Sequence, residues 1–197
     1  MSTSTIVVLV LLVAVVFWAI GIYNQLVRLK NIIANAFGQI DVQLKRRYDL
    51  IPNLVEAAKK YMLHEQSTLE SVIAARNQAS RASDTVRSNP GKPEALMALA
   101  VAEQSLSGSL GRLFALAEAY PELKADQTIR DLSEELTSTE NKVGFSRQSY
   151  NDSVLDYNNA QAQFPNFLVA RMFNFQPSAV LRATENATEQ QAVRIQF

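Results

Sequence analysis

Cysteine is absent from this 197-residue chain, and histidine occurs once, at His64. The first absence removes disulfides, thiolate metal sites, thiol nucleophiles and a lipidated cysteine together, and leaves the redox compartment unread. The second leaves too few imidazoles for the Glu-x-x-His pairs that di-iron bundles place on two helices, and Tyr61, three residues before His64, breaks even one such pair. An excess of either charge is missing too. The 19 Lys and Arg balance 19 Asp and Glu, so no global basic field draws the chain to nucleic acid. No G-x-G-x-x-G or Walker loop cradles a phosphate, and no strand pattern competes with the helical one. These absences predict a protein without catalytic residues, metal or cofactor.

What is present begins with the uninterrupted apolar run IVVLVLLVAVVFWAIGI, Ile6 to Ile22. At about 1.5 Å per residue it spans roughly 25 Å of hydrocarbon, enough for one transmembrane helix with little tilt. A cleaved signal peptide is the competing reading. The leading MSTST lacks Lys and Arg and no A-x-A site closes the run, which favours retention. Trp18 and Tyr23 suit the interface at the exit from lipid, with Arg28 and Lys30 immediately beyond. No Lys or Arg precedes the run, whereas Arg28, Lys30, Lys45, Arg46 and Arg47 follow it. That bias predicts a single-pass protein with residues 1–5 outside and the rest in the cytoplasm.

Past Tyr23 the positions Leu26, Leu29, Ile33, Phe37, Ile40 and Leu44 recur at three- and four-residue steps, so the anchor is expected to continue into the first helix of the domain. A second stripe runs Ile51, Leu54, Val55, Ala58, Met62, Leu69, Val72 and Arg76. Asp49 as an N-cap and Pro52 in the first turn place a break near Tyr48 to Ile51. A single long helix kinked at Pro52 is the alternative. SNPGKPE, 88–94, is a loop, and a third helix follows to about Ala119. YPELKAD is a second connection, after which Asp126 caps a fourth helix through Leu132, Leu136, Val143, Tyr150, Tyr157 and Phe164. The fold class expected is all-α: one transmembrane helix, 6–22, continuing into an up-and-down antiparallel four-helix bundle, 23–175, with a polar, disordered tail from 176 to 197.

Several groups of residues invite a chemical reading. Lys45, Arg46 and Arg47 suggest phosphate or anionic lipid. At about 1.5 Å per residue, however, Arg47 stands roughly 35 Å from Tyr23, so solvated charge, a protein partner or the acidic fourth helix fits better. Glu122, Asp126, Asp131, Glu134, Glu135 and Glu140 make that helix acidic, but neighbours such as Glu134 and Glu135 point about 100° apart and share no site. His64 and Glu65 read as a solvated pair. Ser105, Gly108, Gly111 and Ala115 would let two helix backbones approach closely. Tyr150, Tyr157 and Phe164 are seven apart on one core seam, with Asn151 and Asn158 as buried residues that set helix register. FPNFLVARMFNFQP, 164–177, concentrates Phe164, Phe167, Phe173 and Phe175 and needs apolar cover. Either the helical body supplies it, or the fourth helix returns to the bilayer and the segment inserts at the interface beside Tyr23.

Particular strings carry a family resemblance: YNQLVRLKN after the anchor, IDVQLKRRYDLIPNLVE from Ile40 to Glu56, HEQSTLESVIAAR from His64 to Arg76, LSGSLGRL from Leu106 to Leu113, then YPELKAD, LTSTEN and the YND and YN of the fourth helix. In order and length these resemble the LemA family of membrane-anchored bacterial proteins over Tyr23 to Phe173. The resemblance implies a four-helix bundle behind an N-terminal membrane helix, N-terminus outside and domain inside the bacterial inner membrane. Magnetosome-membrane proteins resemble the family as well, which implies work at membranes and no particular reaction. The residues that carry it, with roles unassigned, include Asp41, Lys45, Arg46, Arg47, Asp49, Pro52, Asn53, Tyr120, Pro121, Glu140, Asn141, Tyr150 and Asn151.

The function expected is a non-enzymatic scaffold or adaptor that holds a helical surface near the membrane and binds other proteins or itself. An accessory subunit of a membrane enzyme or transporter is the second expectation, and an enzyme using surface carboxylates the third.

Overall fold

A computed structural model describes residues 2–88 and 91–181. Its first helix, α1, runs without interruption over Thr3–Lys59, 57 residues, or about 85 Å of helix. Up to Gly21 it touches almost nothing, and side chains such as Ile6, Leu12 and Phe17 stay half-exposed or more. This is the one helix among the described residues long and apolar enough to cross a membrane, with a mean hydropathy of 3.0 in its most apolar stretch. From Ile22 onward one face goes under cover: Ile22, Leu26, Ile33, Phe37, Ile40, Leu44, Tyr48, Ile51, Val55 and Ala58 are all buried.

That stripe keeps its three- and four-residue step straight through Tyr48 to Ile51, so the break expected there does not occur. Pro52 lies inside α1 with its ring exposed, and Asp49 is a mid-helix residue rather than a cap. A proline lacks the N–H that would bond the carbonyl four residues back. Here that carbonyl, Tyr48 O, accepts instead from Arg76 Nε at 2.9 Å. The chain reverses later, at 60–65, where Met62 is fully buried.

Three more long helices follow: α2 (Gln66–Ser88), α3 (Pro93–Ala117) and, after the five-residue α4 (Pro121–Ala125), α5 (Gln127–Ala162). Gly91, with φ of 84°, makes the turn into α3, and Pro93 occupies the first turn of that helix. The Asp126 carboxylate caps α5 by accepting from the Ile129 amide at 3.2 Å. α1 packs mainly on α5 and also on α2, while α2 packs on α3. Both neighbours of α1 run antiparallel to it. Arg46 pairs with Glu135 and Tyr23 meets Phe173, and on the other side Tyr48 meets Arg76 while Asp41 meets Arg87. The described residues contain no strand, so the all-α class holds.

A short helix, α6 (Asn166–Met172), turns back after α5 and ends at Asn174, which takes φ of 55° as the Phe175 amide bonds Ala170 O at 2.9 Å. The chain then runs along α5 as an extended strap, 176–181, ending in the buried Leu181. Of the polar tail expected from 176 to 197, residues 176–181 lie against α5, and 182–197 lie outside the described residues.

Two packing expectations also change. A Cβ added at Gly108 or Gly111 would meet nothing within 4 Å, so no second backbone closes on them. The tyrosine seam stops at Tyr157, because α5 ends at Ala162 and Phe164 is 79% exposed.

Candidate functional site

Three of the apolar stripes carry a charge where the step calls for a core residue: Arg47 three positions after Leu44 on α1, Glu103 four after Leu99 on α3, and Arg147 four after Val143 on α5. The fold brings the three together. Arg47 Nη1 donates to Glu103 Oε2 at 2.9 Å and Nη2 to Ser107 Oγ at 3.0 Å, with both charged side chains under 5% exposed. The Tyr48 hydroxyl donates to the other Glu103 oxygen at 2.6 Å. Glu140 approaches Arg47 from the solvent edge at 3.7 Å, and Arg147 Nη2 lies 3.9 Å from Glu103 Oε2. Burial, followed by the charge of Glu103 and the hydrogen bond to it, pushes the Tyr48 hydroxyl well above its ordinary range. Burial lowers the Arg147 guanidinium against the pull of Glu103. Deleting one partner of the Arg47 and Glu103 pair costs about 3–5 kcal/mol because the other charge stays buried.

Of the basic triplet, Lys45 is exposed and Arg46 pairs with Glu135 at the surface, where such contacts are worth about 1 kcal/mol at most. Of the alternatives expected for Arg47, solvated charge does not hold, whereas the acidic fourth helix does reach the triplet, through Glu135 to Arg46 and Glu140 to Arg47. The neighbours of Arg47 along the helix, Leu44, Tyr48 and Ile51, sit on the face that α1 buries, and that face carries Arg47 inside with them.

The remaining motif residues are spread along the body. Asp41 accepts from Arg87 through both oxygens, at 2.8 and 3.1 Å, and from Ser83. Asp49 lies 3.9 Å from Arg76. Tyr120 donates to Glu65 at 3.4 Å, and Pro121 opens α4. Asp126 accepts from the Tyr61 hydroxyl at 2.9 Å, which together with the Ile129 amide holds its carboxyl below the usual range. Asn53, Asn141 and His64 are exposed. Tyr150 and Tyr157 are buried, but Asn151 and Asn158 do not set helix register. Asn158 bonds both backbone groups of Ser178, and Asn151 both of Leu181, at 2.8–3.1 Å. The two tyrosine hydroxyls donate to Ala179 O and Gln176 O.

At the opposite end from the α1–α2 turn, the Phe-rich segment meets α1 where the apolar run ends. The rings of Phe173 and Phe175 lie 4.9 and 5.6 Å from that of Tyr23. Val169 and Ala170 are buried and Phe175 partly so, whereas Phe164, Phe167, Leu168, Met172 and Phe173 remain exposed. Trp18, Arg28 and Lys30 are exposed on α1 at either side of Tyr23.

Several clefts open on the surface, two of them bearing on the site. One, of about 760 Å³, lies between the end of α1 and α2 and includes Pro52, Met62, Leu63 and Leu69. The other, of about 490 Å³, opens between α3 and α5 with Arg47, Glu103 and Arg147 in its lining. No group of three or more His, Asp or Glu among the described residues is arranged to hold a metal ion. Glu103 and Arg147 belong to none of the motifs quoted above, whereas Ser107 lies in LSGSLGRL. The signal that points to the two charges is a charged residue at an apolar-stripe position, repeated with opposite signs on three helices.

These features define a class: an all-helical body joined without a break to a helix long and apolar enough to span a membrane, its core crossed by a buried ion cluster. The chain belongs to the LemA family, whose model matches residues 36–197. A relative, Protein LemA of Metamycoplasma hominis, is 25% identical over 169 residues, covering 86% of this chain and 73% of its own length. The magnetosome protein MamQ of Magnetospirillum gryphiswaldense is 24% identical over 164 residues, covering 73% of this chain and 58% of its own.

Proposed function

We propose that this protein is a non-enzymatic scaffold seated on the bacterial inner membrane, its helical body in the cytoplasm, binding other proteins or further copies of itself on faces turned away from lipid. The observation that carries this reading is the continuity of α1, which passes from an exposed apolar stretch to a buried core stripe at Ile22 with no hinge between. A body joined so stiffly to a span has its orientation to the bilayer set by one helix. The exposed Phe164, Phe167, Leu168, Met172 and Phe173 lie at the height where α1 leaves that stretch, so the α5–α6 elbow forms a second, interfacial contact. The Lys and Arg bias after the span supports the cytoplasmic side, and kinship with a magnetosome protein supports membrane association.

The absence of native cysteine permits a direct test. Spin labels on Leu168→Cys and Met172→Cys, in the full chain reconstituted into liposomes, should show high oxygen and low aqueous-quencher accessibility. A label on Leu155→Cys, on the exposed face of α5, should report water. Equal aqueous access at all three sites would remove the elbow contact. Crosslinking in native membranes addresses the scaffold role: several partners or self-association support it, while a single stoichiometric enzyme or transporter would make the chain an accessory subunit. Turnover by the purified chain that is lost on changing Glu134 or Glu140 would overturn the non-enzymatic reading.

A further inference from the structure

The cleft between α3 and α5 has an arginine that the protein's own groups leave unsatisfied. Arg47 is held by hydrogen bonds to Glu103 and Ser107, with Glu140 3.7 Å away. Glu103 is likewise committed, one oxygen to Arg47 and the other to Tyr48. Arg147 approaches the same carboxylate only to 3.9 Å, outside hydrogen-bond range. Its side chain is 22% exposed, and its Nε is buried without a hydrogen-bond partner. Two guanidinium groups thus share one buried carboxylate. The fourth charge, Glu140, is 59% exposed and faces Arg47. Native proteins rarely leave a buried donor of this kind idle, since doing so costs about 1–3 kcal/mol or more for a charged group.

The space in front of Arg147 fits the charge. The cleft holds about 490 Å³, within the roughly 300–1,000 Å³ usual for small-molecule sites. Gly108 and Gly144 stand on its two walls, and a Cβ at either would meet nothing within 4 Å, so the walls stay clear. α3 packs on α2 rather than closely on α5, which is what keeps the cleft open.

We propose that this cleft binds a small organic monocarboxylate, held by the guanidinium of Arg147 in a two-pronged charge-assisted contact. A planar carboxylate matches the guanidinium fork. One negative charge balances the single excess positive charge of the buried cluster, whereas a phosphate would bring a second charge against Glu103 and Glu140. The site stands on the surroundings of Arg147 and is independent of the scaffold reading.

The test uses the full chain in detergent micelles, titrated with butyrate at constant ionic strength, with inorganic phosphate and chloride as comparison anions. Butyrate should move the Arg147 Nε–H resonance saturably, and calorimetry should report the same midpoint. Glu140→Gln, which removes a competing carboxylate at the rim, should tighten binding by up to about fivefold, the reach of one exposed charge. Arg147→Gln, checked for unchanged helix content, should abolish saturable binding. A response to butyrate no different from that to chloride, or binding unaltered by Glu140→Gln, would overturn the proposal.

Discussion

The Tyr48 hydroxyl donates to Glu103 from a position 4% exposed, and burial beside that carboxylate raises it far above the ordinary value near pH 10. A raised folded value favours the neutral form in the native state. The stability it contributes is therefore fully present below about pH 10 and is lost as pH rises further, at about 1.4 kcal/mol per pH unit. In the full chain in micelles, unfolding followed by circular dichroism between pH 8 and 11 should show this decline, along with that of the raised Tyr150 and Tyr157. Tyr48→Phe should cost about 1–2 kcal/mol at neutral pH and shallow the alkaline slope by one tyrosine's share; slopes that coincide would contradict the assignment. The sequence shows that Arg46 and Arg47 are basic and adjacent, but not that one is surface and the other core. That difference comes from 100° of helical rotation, which matters only once α1 has a face to bury.

Along α1, the proline at 52 is the feature that local rules read in the wrong direction. Pro52 in a first turn is a favoured arrangement, and in a helix interior it costs about 3 kcal/mol, so a break just before it is the local expectation. The structure lowers that cost through a side chain 24 positions away: Arg76 supplies the donor that Pro52 lacks. A double-mutant cycle checks this. Arg76→Met should destabilise the full chain by about 1–3 kcal/mol with Pro52 present, since Tyr48 O loses its partner, and by much less in Pro52→Ala, where the helix supplies its own N–H. Equal losses in both backgrounds would show that Arg76 matters only through its approach to Asp49. The alternating apolar steps from Leu26 to Ala58 were legible throughout. What could not be read was which of two consistent interpretations, turn or kink, the rest of the molecule would support.

Across the whole molecule the body has two parts of different construction. Far from the apolar run, α1, α2, α3 and α5 share the core. Nearer to it the α2–α3 hairpin has ended, at the height of Asp41, and α1 and α5 are completed by α6 and the strap 176–181. The strap fits because two repeats coincide. Asn151 and Asn158, seven residues apart on a helix, are separated by about 10.5 Å, and Ser178 to Leu181, three residues of extended chain, covers about 10 Å. Replacing both asparagines with alanine should release the Ser178 and Leu181 amides to fast hydrogen exchange while leaving protection in α2 and α3 unchanged. Retained protection of those amides, or loss spread evenly through the body, would count against a separately held lower part. By itself the sequence determined the helical class, the apolar run and the stripes along the first, second and fourth helices, because each is written in local composition and a 3.6-residue period, and its quoted strings carried the family resemblance. The burial of Arg47 with Glu103, the toleration of Pro52 and the capture of the strap by Asn151 and Asn158 were decided only by the tertiary structure. Each joins groups that lie some 20 to 60 positions apart, and no local period encodes which distant face will arrive to meet them.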